Sequence, residues 1–534
     1  MIRGSTLLDG GVRGFFNNGI LADSGTRILK RIQPPAVVCS IAACLLCLTR
    51  LSGAEALQLD ANENLFCVLA AINAAGYDDG IQLPDNSPLR LQLRDYLARQ
   101  NIASLPELKR FVQANQRRKS GVQDLAQYIS YALSVSGPPD FAWRTRDVEV
   151  PPDAKALEGF TPLLIDFYRQ ARLDELWRRA RPVYEKELEK YHTPVLTMTN
   201  KVDGYLRVSA GGYLGRRFQI FIDLLGTPQQ VQTRNYGDDA FVIVTPSAEP
   251  KMFDIRHAYL HFELDPIMIK YGMDLQQKRS LLDIVQLAPL EDNYKSDFML
   301  LANESLIKAV ECRLDKNKAG IPQAMQQGYV LTEFFSEQLP VFEQQQQGMR
   351  FYAEEMVNAI DLKHETARIS AVKFDSGQLQ RKGRQVAVAG PELSPSAKTL
   401  EQAEALYSEK SFVKSRDLFL KSLEQKGSPE EHAQAWYGLA RIATLQNQPD
   451  AAVKLFEKTL DASPDAFTKG WSYVYLARLS KAAGDPERAA KYYQEVLAVK
   501  GASERALEAA RKEAASIQSD IPKRDVPKNQ EIPK

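Results

Sequence analysis

The sequence predicts an α+β unit, built of helices with a small antiparallel sheet, followed by an all-α solenoid of repeated helix pairs. Apolar residues in the region 57–200 recur at helical spacing, as in Leu105, Leu108 and Val112. After residue 200 the period changes to the alternation that is typical of strands. Between residues 400 and 515 an apolar pattern returns at a fixed step, which indicates stacked helical repeats.

The composition is that of a globular protein. The chain has 534 residues, of which 44% are hydrophobic and 25% are charged. This balance excludes a wholly disordered chain and a protein with many membrane spans. The 68 basic and 67 acidic residues give a net charge of +1, so no overall basic field favours nucleic acid as a partner.

Residues 1–56 are predicted to form a secretory signal peptide. An apolar run of 13 residues at 36–48 follows a basic stretch and precedes the A-x-A cleavage motif at 54–56. The run is shorter than the roughly 20 residues that a membrane-spanning helix needs. We therefore expect an exported mature chain, periplasmic or secreted, without a transmembrane domain. The alternatives are an uncleaved anchor, a buried helix and, less favoured, a lipoprotein signal that ends at Cys44 in the sequence Ile41-Ala42-Ala43-Cys44.

After this cleavage only two cysteines, Cys67 and Cys312, are left, so the protein is not a disulfide scaffold. They either pair or stay as two free thiols. The tryptophans Trp143 and Trp177 are predicted to lie in the core.

The mature chain divides into a helical N-terminal region at 57–200 and a mixed region at 201–374. The first is predicted to end with an amphipathic helix over 161–190. In the second, the alternation predicts strands over 204–210 and 217–224, and an apolar run predicts another over 240–244. These strands would form a small antiparallel sheet just before the segment 254–263.

Glycine, glutamine and proline then accumulate at 375–399, which is predicted to be a linker. The segment 516–534, rich in proline and charge, is predicted to be a disordered tail.

Between linker and tail the sequence repeats with a step of 37 residues. Alanine recurs at positions 403, 440 and 477, and paired large residues recur at 418–419, 455–456 and 492–493. The middle copy resembles a tetratricopeptide repeat through Trp436, Leu439, Ala452, Phe456 and Pro464, although the family's usual step is 34. The resemblance implies three repeats at 400–515 whose concave groove binds a protein or peptide partner.

One group of residues is predicted to bind a metal ion. His257 and His261 are four residues apart in a predicted helix, which places both imidazoles on one face at a spacing that zinc accepts. A second helical segment follows, with Asn303-Glu304 43 residues after His261. The arrangement resembles the gluzincin branch of zinc metallopeptidases, whose H-E-x-x-H helix is completed by a glutamate of a later helix. The resemblance implies a zincin-like domain at 201–374 with Zn²⁺ on His257, His261 and Glu304, and Glu311 as the alternative third ligand.

The departure from the family motif concerns the residue after the first histidine. The family has its general-base glutamate there, whereas this chain has Ala258. The resemblance therefore implies a retained fold and metal with impaired peptidase chemistry. The alternative is an active zinc peptidase with another base, for which His364, Tyr329 and Tyr352 could supply a transition-state donor. The remaining interpretation is that His257 and His261 are ordinary helix residues.

Overall fold

The computed structural model describes residues 57–116, 121–144, 150–208, 216–236, 239–375, 394–408 and 410–520. The predicted signal peptide and most of the predicted linker and tail lie outside these ranges. Within them, no helix combines the length and the apolar character that a membrane crossing requires.

The N-terminal region begins with a strand, β1 (Leu57–Ala61), and continues as helices. The helices are α1 (Glu63–Ala75), α2 (Pro88–Ala98), α3 (Leu105–Ala114), α4 (Gly121–Ser134), α5 (Pro152–Lys155), α6 (Phe160–Ala171) and α7 (Leu173–Leu206). Helix α1 is almost entirely buried, and Asn62 caps it by accepting a hydrogen bond from the backbone N–H of Leu65.

The end of this region differs from the prediction. The helix predicted over 161–190 is two helices, because Arg172 has a left-handed backbone (φ 54°) that ends α6 and starts α7. Helix α7 then continues to Leu206, so the strand predicted over 204–210 is wrong. Its alternating residues at 204–206 belong to the last turn of a helix.

Within the described residues the sheet has four strands in the order β1-β2-β4-β3, with β2 at Arg217–Ile222, β3 at Val231–Tyr236 and β4 at Asp239–Val244. Strands β1, β2 and β4 are parallel, and only β3 is antiparallel, to β4. The prediction of an antiparallel sheet is therefore wrong, and the sheet is mixed. Strand β4 and nearly all of β2 are buried, as expected for parallel strands covered on both faces.

A second set of helices follows the sheet. It comprises α8 (Met252–Lys270), α9 (Gly272–Gln276), a 3₁₀ helix (Arg279–Leu287), α10 (Asp292–Ser296), α11 (Phe298–Leu314), α12 (Gly320–Gln326), α13 (Thr332–Gln344), α14 (Met349–Asn358) and α15 (Leu362–Ser370). Helix α8 packs against α11. Asp297 caps α11, with its carboxylate accepting from the N–H groups of Met299 and Leu300, and so fixes where that helix starts.

The C-terminal repeats form three helix pairs and a final helix. The pairs are α16 (Pro395–Ser408) with α17 (Phe412–Glu424), α18 (Pro429–Leu445) with α19 (Pro449–Asp461), and α20 (Ala466–Ala482) with α21 (Pro486–Ala498), followed by α22 (Glu504–Asp520). Helix α16 begins within the predicted linker, and α22 extends beyond residue 516, where the tail was predicted to begin. The alanines of the repeat column, Ala403, Ala440 and Ala477, are all buried.

The repeats pack directly on the preceding region. Ala403, Phe419 and Leu439 belong to the same hydrophobic cluster as Leu260 of α8. The module therefore shares a core with the helix that carries the two histidines.

Trp177 is buried, as predicted, whereas the prediction for Trp143 is wrong. Trp143 is 40% exposed and packs edge-on against Tyr131 at 5.2 Å between ring centroids. Cys67 and Cys312 are both free thiols.

Candidate metal centre

Helix α8 brings His257 and His261 one turn apart on the same face, with ring centroids 4.9 Å apart. Helix α11 packs against this face and contributes Glu304, which is 3% exposed. The carboxylate lies between the rings. Its Oε1 is 3.6 Å from His257 Nε2, and its Oε2 is 3.0 Å from His261 Nε2.

These three side chains fit a metal ion. Each offers one ligand atom, and the three atoms lie within 4.8 Å of one another. A tetrahedral zinc ion with bonds of about 2.1 Å keeps its ligand atoms about 3.4 Å apart, which is close to the 3.6 Å and 3.0 Å between the Glu304 oxygens and the two Nε2 atoms. The buried Glu304 Oε2 has the imidazole of His261 as its partner, with 3.0 Å between the oxygen and Nε2. Such a buried oxygen is costly unless a cation or a donor satisfies it.

Each histidine is oriented by a carboxylate on its other nitrogen. His257 Nδ1 is 3.1 Å from Glu311 Oε1, and His261 Nδ1 is 2.8 Å from Asp265 Oδ1. Both Nε2 atoms are thereby directed towards Glu304. This is the arrangement by which an outer carboxylate fixes the ring and tautomer of a metal-ligating histidine.

Glu311 is thus brought to the cluster, but it lies at the Nδ1 side of His257 rather than between the two rings. Its position suits an orienting partner better than the alternative third ligand that the sequence analysis kept open. Glu304 is the carboxylate that both Nε2 atoms face.

The buried carboxylates of the cluster favour positive charge, which the metal-free chain supplies as a proton on His261 and the ammonium of Lys308. Burial opposes the charged form of His261, but the carboxylates of Asp265 and Glu304 outweigh it and raise the pKa of His261 to about 9. Burial likewise raises the pKa of Glu304, but the two histidines and Lys308 outweigh it and lower that pKa to about 2. The Lys308 ammonium lies 3.5 Å from Glu304 Oε1 and 3.7 Å from Glu311 Oε2.

Position 258 lies one residue after His257 and three before His261, about 100° around the helix axis from His257 and so at the edge of the face that carries both histidines. Ala258 is buried, with 8% of its surface exposed. Its methyl group can neither accept nor donate a proton, so it leaves the site without a base at this position. A zinc ion held by the three ligands would still lower the pKa of a bound water towards about 7.

The three candidate donors have different surroundings. Burial, followed by the charge of Glu304, raises the pKa of Tyr329, so this side chain lies within electrostatic reach of the cluster. Tyr352 packs against Phe342, and His364 contacts the neighbouring Glu365. These contacts do not connect Tyr352 or His364 to the candidate metal ligands.

Sequence reasoning missed four neighbours of this site: Asp265, Lys308, Tyr294 and Lys410. Tyr294 packs edge-on against Tyr329 at 5.8 Å, and burial together with the charge of Glu304 raises its pKa. The spacing of Asp265, four residues after His261, is a signal that could have identified it. Lys410 belongs to the repeat module and forms an ion pair with Asp265 of α8. No local sequence pattern indicates this contact.

The comparisons with known proteins concern the repeats. Residues 431–502 match the family model of the tetratricopeptide repeat. No curated protein and no solved structure matches the chain. The chain therefore carries tetratricopeptide repeats, which are a protein-interaction module.

Proposed function

We propose that this chain is an exported zinc-binding protein in which a metallopeptidase-like unit with impaired catalysis is joined to the tetratricopeptide module. The observation that carries the proposal is the convergence of His257, His261 and Glu304, whose ligand atoms lie within 4.8 Å of one another around a buried carboxylate. A divalent cation would bind the Glu304 carboxylate and both Nε2 atoms at once. The donor set of two imidazoles and one carboxylate is one that zinc accepts.

The absence of a general base supports impaired catalysis. Peptide hydrolysis at zinc needs a group that takes the proton of the attacking water and delivers it to the leaving amine, and such a group contributes roughly 10²–10⁴ in rate. Ala258 cannot do this. An active peptidase would have to use another carboxylate, but Glu311 and Asp265 are each engaged with a histidine Nδ1.

The repeat module supports a role in protein binding. Stacked helix pairs present a concave surface on which peptides or helices dock. We infer that the module recruits a protein or peptide partner, while the metal centre serves structure or recognition rather than hydrolysis. Export of the chain is part of this proposal and follows from the predicted signal peptide at residues 1–56.

Zinc titration of the metal-stripped full chain, followed by calorimetry, tests the proposal. We expect one zinc ion per chain, and we expect His261→Ala to weaken the binding strongly because it removes a ligand. The matched control is His364→Ala, which removes a largely exposed histidine that contacts Glu365 instead of the cluster. Equal zinc binding by wild type and His261→Ala, or no binding by wild type, would overturn the metal assignment.

A further inference from the structure

The turn between the first two repeat helices reaches the metal centre. Lys410 lies in this turn, between α16 and α17, and its ammonium forms an ion pair with Oδ2 of Asp265. The pair is largely shielded from solvent, with 23% of the lysine side chain and 8% of the aspartate side chain exposed. A residue of the repeat module thus contacts a carboxylate on the helix that carries both histidines.

Asp265 also contacts a candidate metal ligand. Its other oxygen, Oδ1, is 2.8 Å from His261 Nδ1 and accepts a hydrogen bond from Asn303 Nδ2 at 2.6 Å. Asn303 directly precedes Glu304. The same carboxylate therefore connects the repeat turn, the histidine helix and the glutamate helix.

The backbone at residue 410 supplies a second, independent observation. The equivalent positions of the three repeats, 37 residues apart, are Lys410, Asn447 and Gly484, and all three have a left-handed backbone with φ of 64°, 54° and 79°. In each turn the next residue donates its N–H to the carbonyl five positions earlier, so the turns share one geometry. Glycine and asparagine adopt this conformation readily, whereas lysine does not. The first repeat therefore has an unfavourable residue at the position from which a side chain reaches Asp265.

We propose that Lys410 is a positioning residue for the metal centre, which couples zinc binding to the docking of the repeat module. This inference rests on the proposed zinc site. Lys410 holds Oδ2, so the carboxylate keeps Oδ1 on His261 Nδ1 and the ring keeps Nε2 directed at the metal. Loss of a carboxylate that orients a metal-ligating histidine typically weakens metal binding 10–100-fold, and because Lys410 acts through such a carboxylate we expect its loss to weaken binding about tenfold. Because coupling is reciprocal, bound zinc also strengthens the contact between the turn and Asp265.

The direction in which zinc affinity changes on replacing Lys410 distinguishes an orienting role from a purely electrostatic one. Removing a positive charge near a cation site would by electrostatics alone strengthen zinc binding. Weaker binding in a variant without the ammonium therefore identifies the orienting role of Lys410.

Zinc affinity of the full chain tests this with three variants. Lys410→Asn should bind zinc about tenfold more weakly than wild type, and it should fold because Asn447 already occupies the equivalent turn. Lys410→Arg keeps the positive charge and should bind zinc with an affinity within about threefold of wild type. The matched control is Lys414→Asn on the same helix pair. It removes a contact between the module and Ser296 (3.2 Å) without touching Asp265, and it should bind zinc like wild type.

The outcomes are distinguishable. If wild type does not bind zinc, both this inference and the proposed zinc site fail. If wild type binds zinc but Lys410→Asn binds as tightly or more tightly, only the role of Lys410 is refuted. An equal loss in Lys414→Asn would also refute it, because general docking would then explain the effect. In wild type, zinc should slow amide hydrogen exchange at residues 410–415, and unchanged exchange there would contradict the coupling.

Discussion

Restoring a general base at position 258 is the sharpest change that the site allows. Ala258 directly follows His257 on α8 and is buried, so we expect Ala258→Glu to place a carboxylate within reach of the metal ligands. In the family that this segment resembles, a glutamate at this position takes the proton of the metal-bound water. We expect the substitution to create chelator-sensitive peptidase activity in a protein that otherwise hydrolyses unfolded substrates negligibly.

The expected gain in rate follows from the chemistry of the base, and the expected loss of stability follows from the burial of position 258. A positioned base contributes roughly 10²–10⁴ in rate, which corresponds to about 3–5 kcal/mol of transition-state stabilisation. The substitution should also lower the stability of the fold, because it adds a carboxylate to a buried site that already contains Glu304 and Asp265. Two like charges about 6 Å apart repel by about 3 kcal/mol at an effective dielectric constant near 20. The metal-free variant should therefore unfold more easily than wild type, and zinc should reverse part of this loss.

The assay is cleavage of an unfolded, fluorescently labelled protein by the zinc-loaded full chain, with and without chelator. Ala258→Gln is the matched control, since it has the same size as the glutamate variant and no basic carboxylate. Adding His261→Ala to the glutamate variant should abolish its activity. If wild type cleaves as fast as Ala258→Glu, or if Ala258→Gln is equally active, the reasoning about the missing base is refuted.

Two further predictions concern stability. Burial raises the pKa of Asp223 to about 6, although the backbone N–H of Leu225 donates a hydrogen bond to this carboxylate and by itself lowers the pKa. The folded chain therefore holds this proton more tightly than the unfolded chain, and wild type should lose up to about 3 kcal/mol relative to Asp223→Asn as the pH rises from about 4 to above 6. Denaturant unfolding at both ends of this range measures the difference, and a constant difference would contradict it. A methyl group at Gly438 would overlap the ring of Phe419, so Gly438→Ala should destabilise the repeats by about 1–3 kcal/mol in thermal unfolding, and an unchanged melting temperature would be inconsistent with this packing.

The repeats were predictable because their information is periodic. A fixed step of 37 residues sets the register of every helix pair, and the structure keeps Ala403, Ala440 and Ala477 buried in equivalent places. The pairing of His257 with His261 was predictable for a similar reason, since a helix brings residues four apart onto one face. Glu304 came from a resemblance, and no spacing rule alone would have singled it out.

The features that the sequence did not predict depend on contacts between distant residues. Strand β1 has five residues and pairs in parallel with β2, about 160 residues later, which no local pattern indicates. The alternation at 204–206 is too short to overrule the long helix that precedes it. Lys410 reaches Asp265 only because the repeat module packs against α8, so its role depends on how the module docks.

X-ray absorption at the zinc edge of the loaded full chain tests most directly whether His257, His261 and Glu304 together bind a zinc ion. We expect a first shell of nitrogen and oxygen at about 2.0–2.2 Å, with the outer-ring scattering of two imidazoles and without sulfur. His261→Ala should remove one imidazole from this shell. A spectrum with sulfur at about 2.3 Å, which would indicate a cysteine ligand, or a shell of oxygen alone would contradict the assignment.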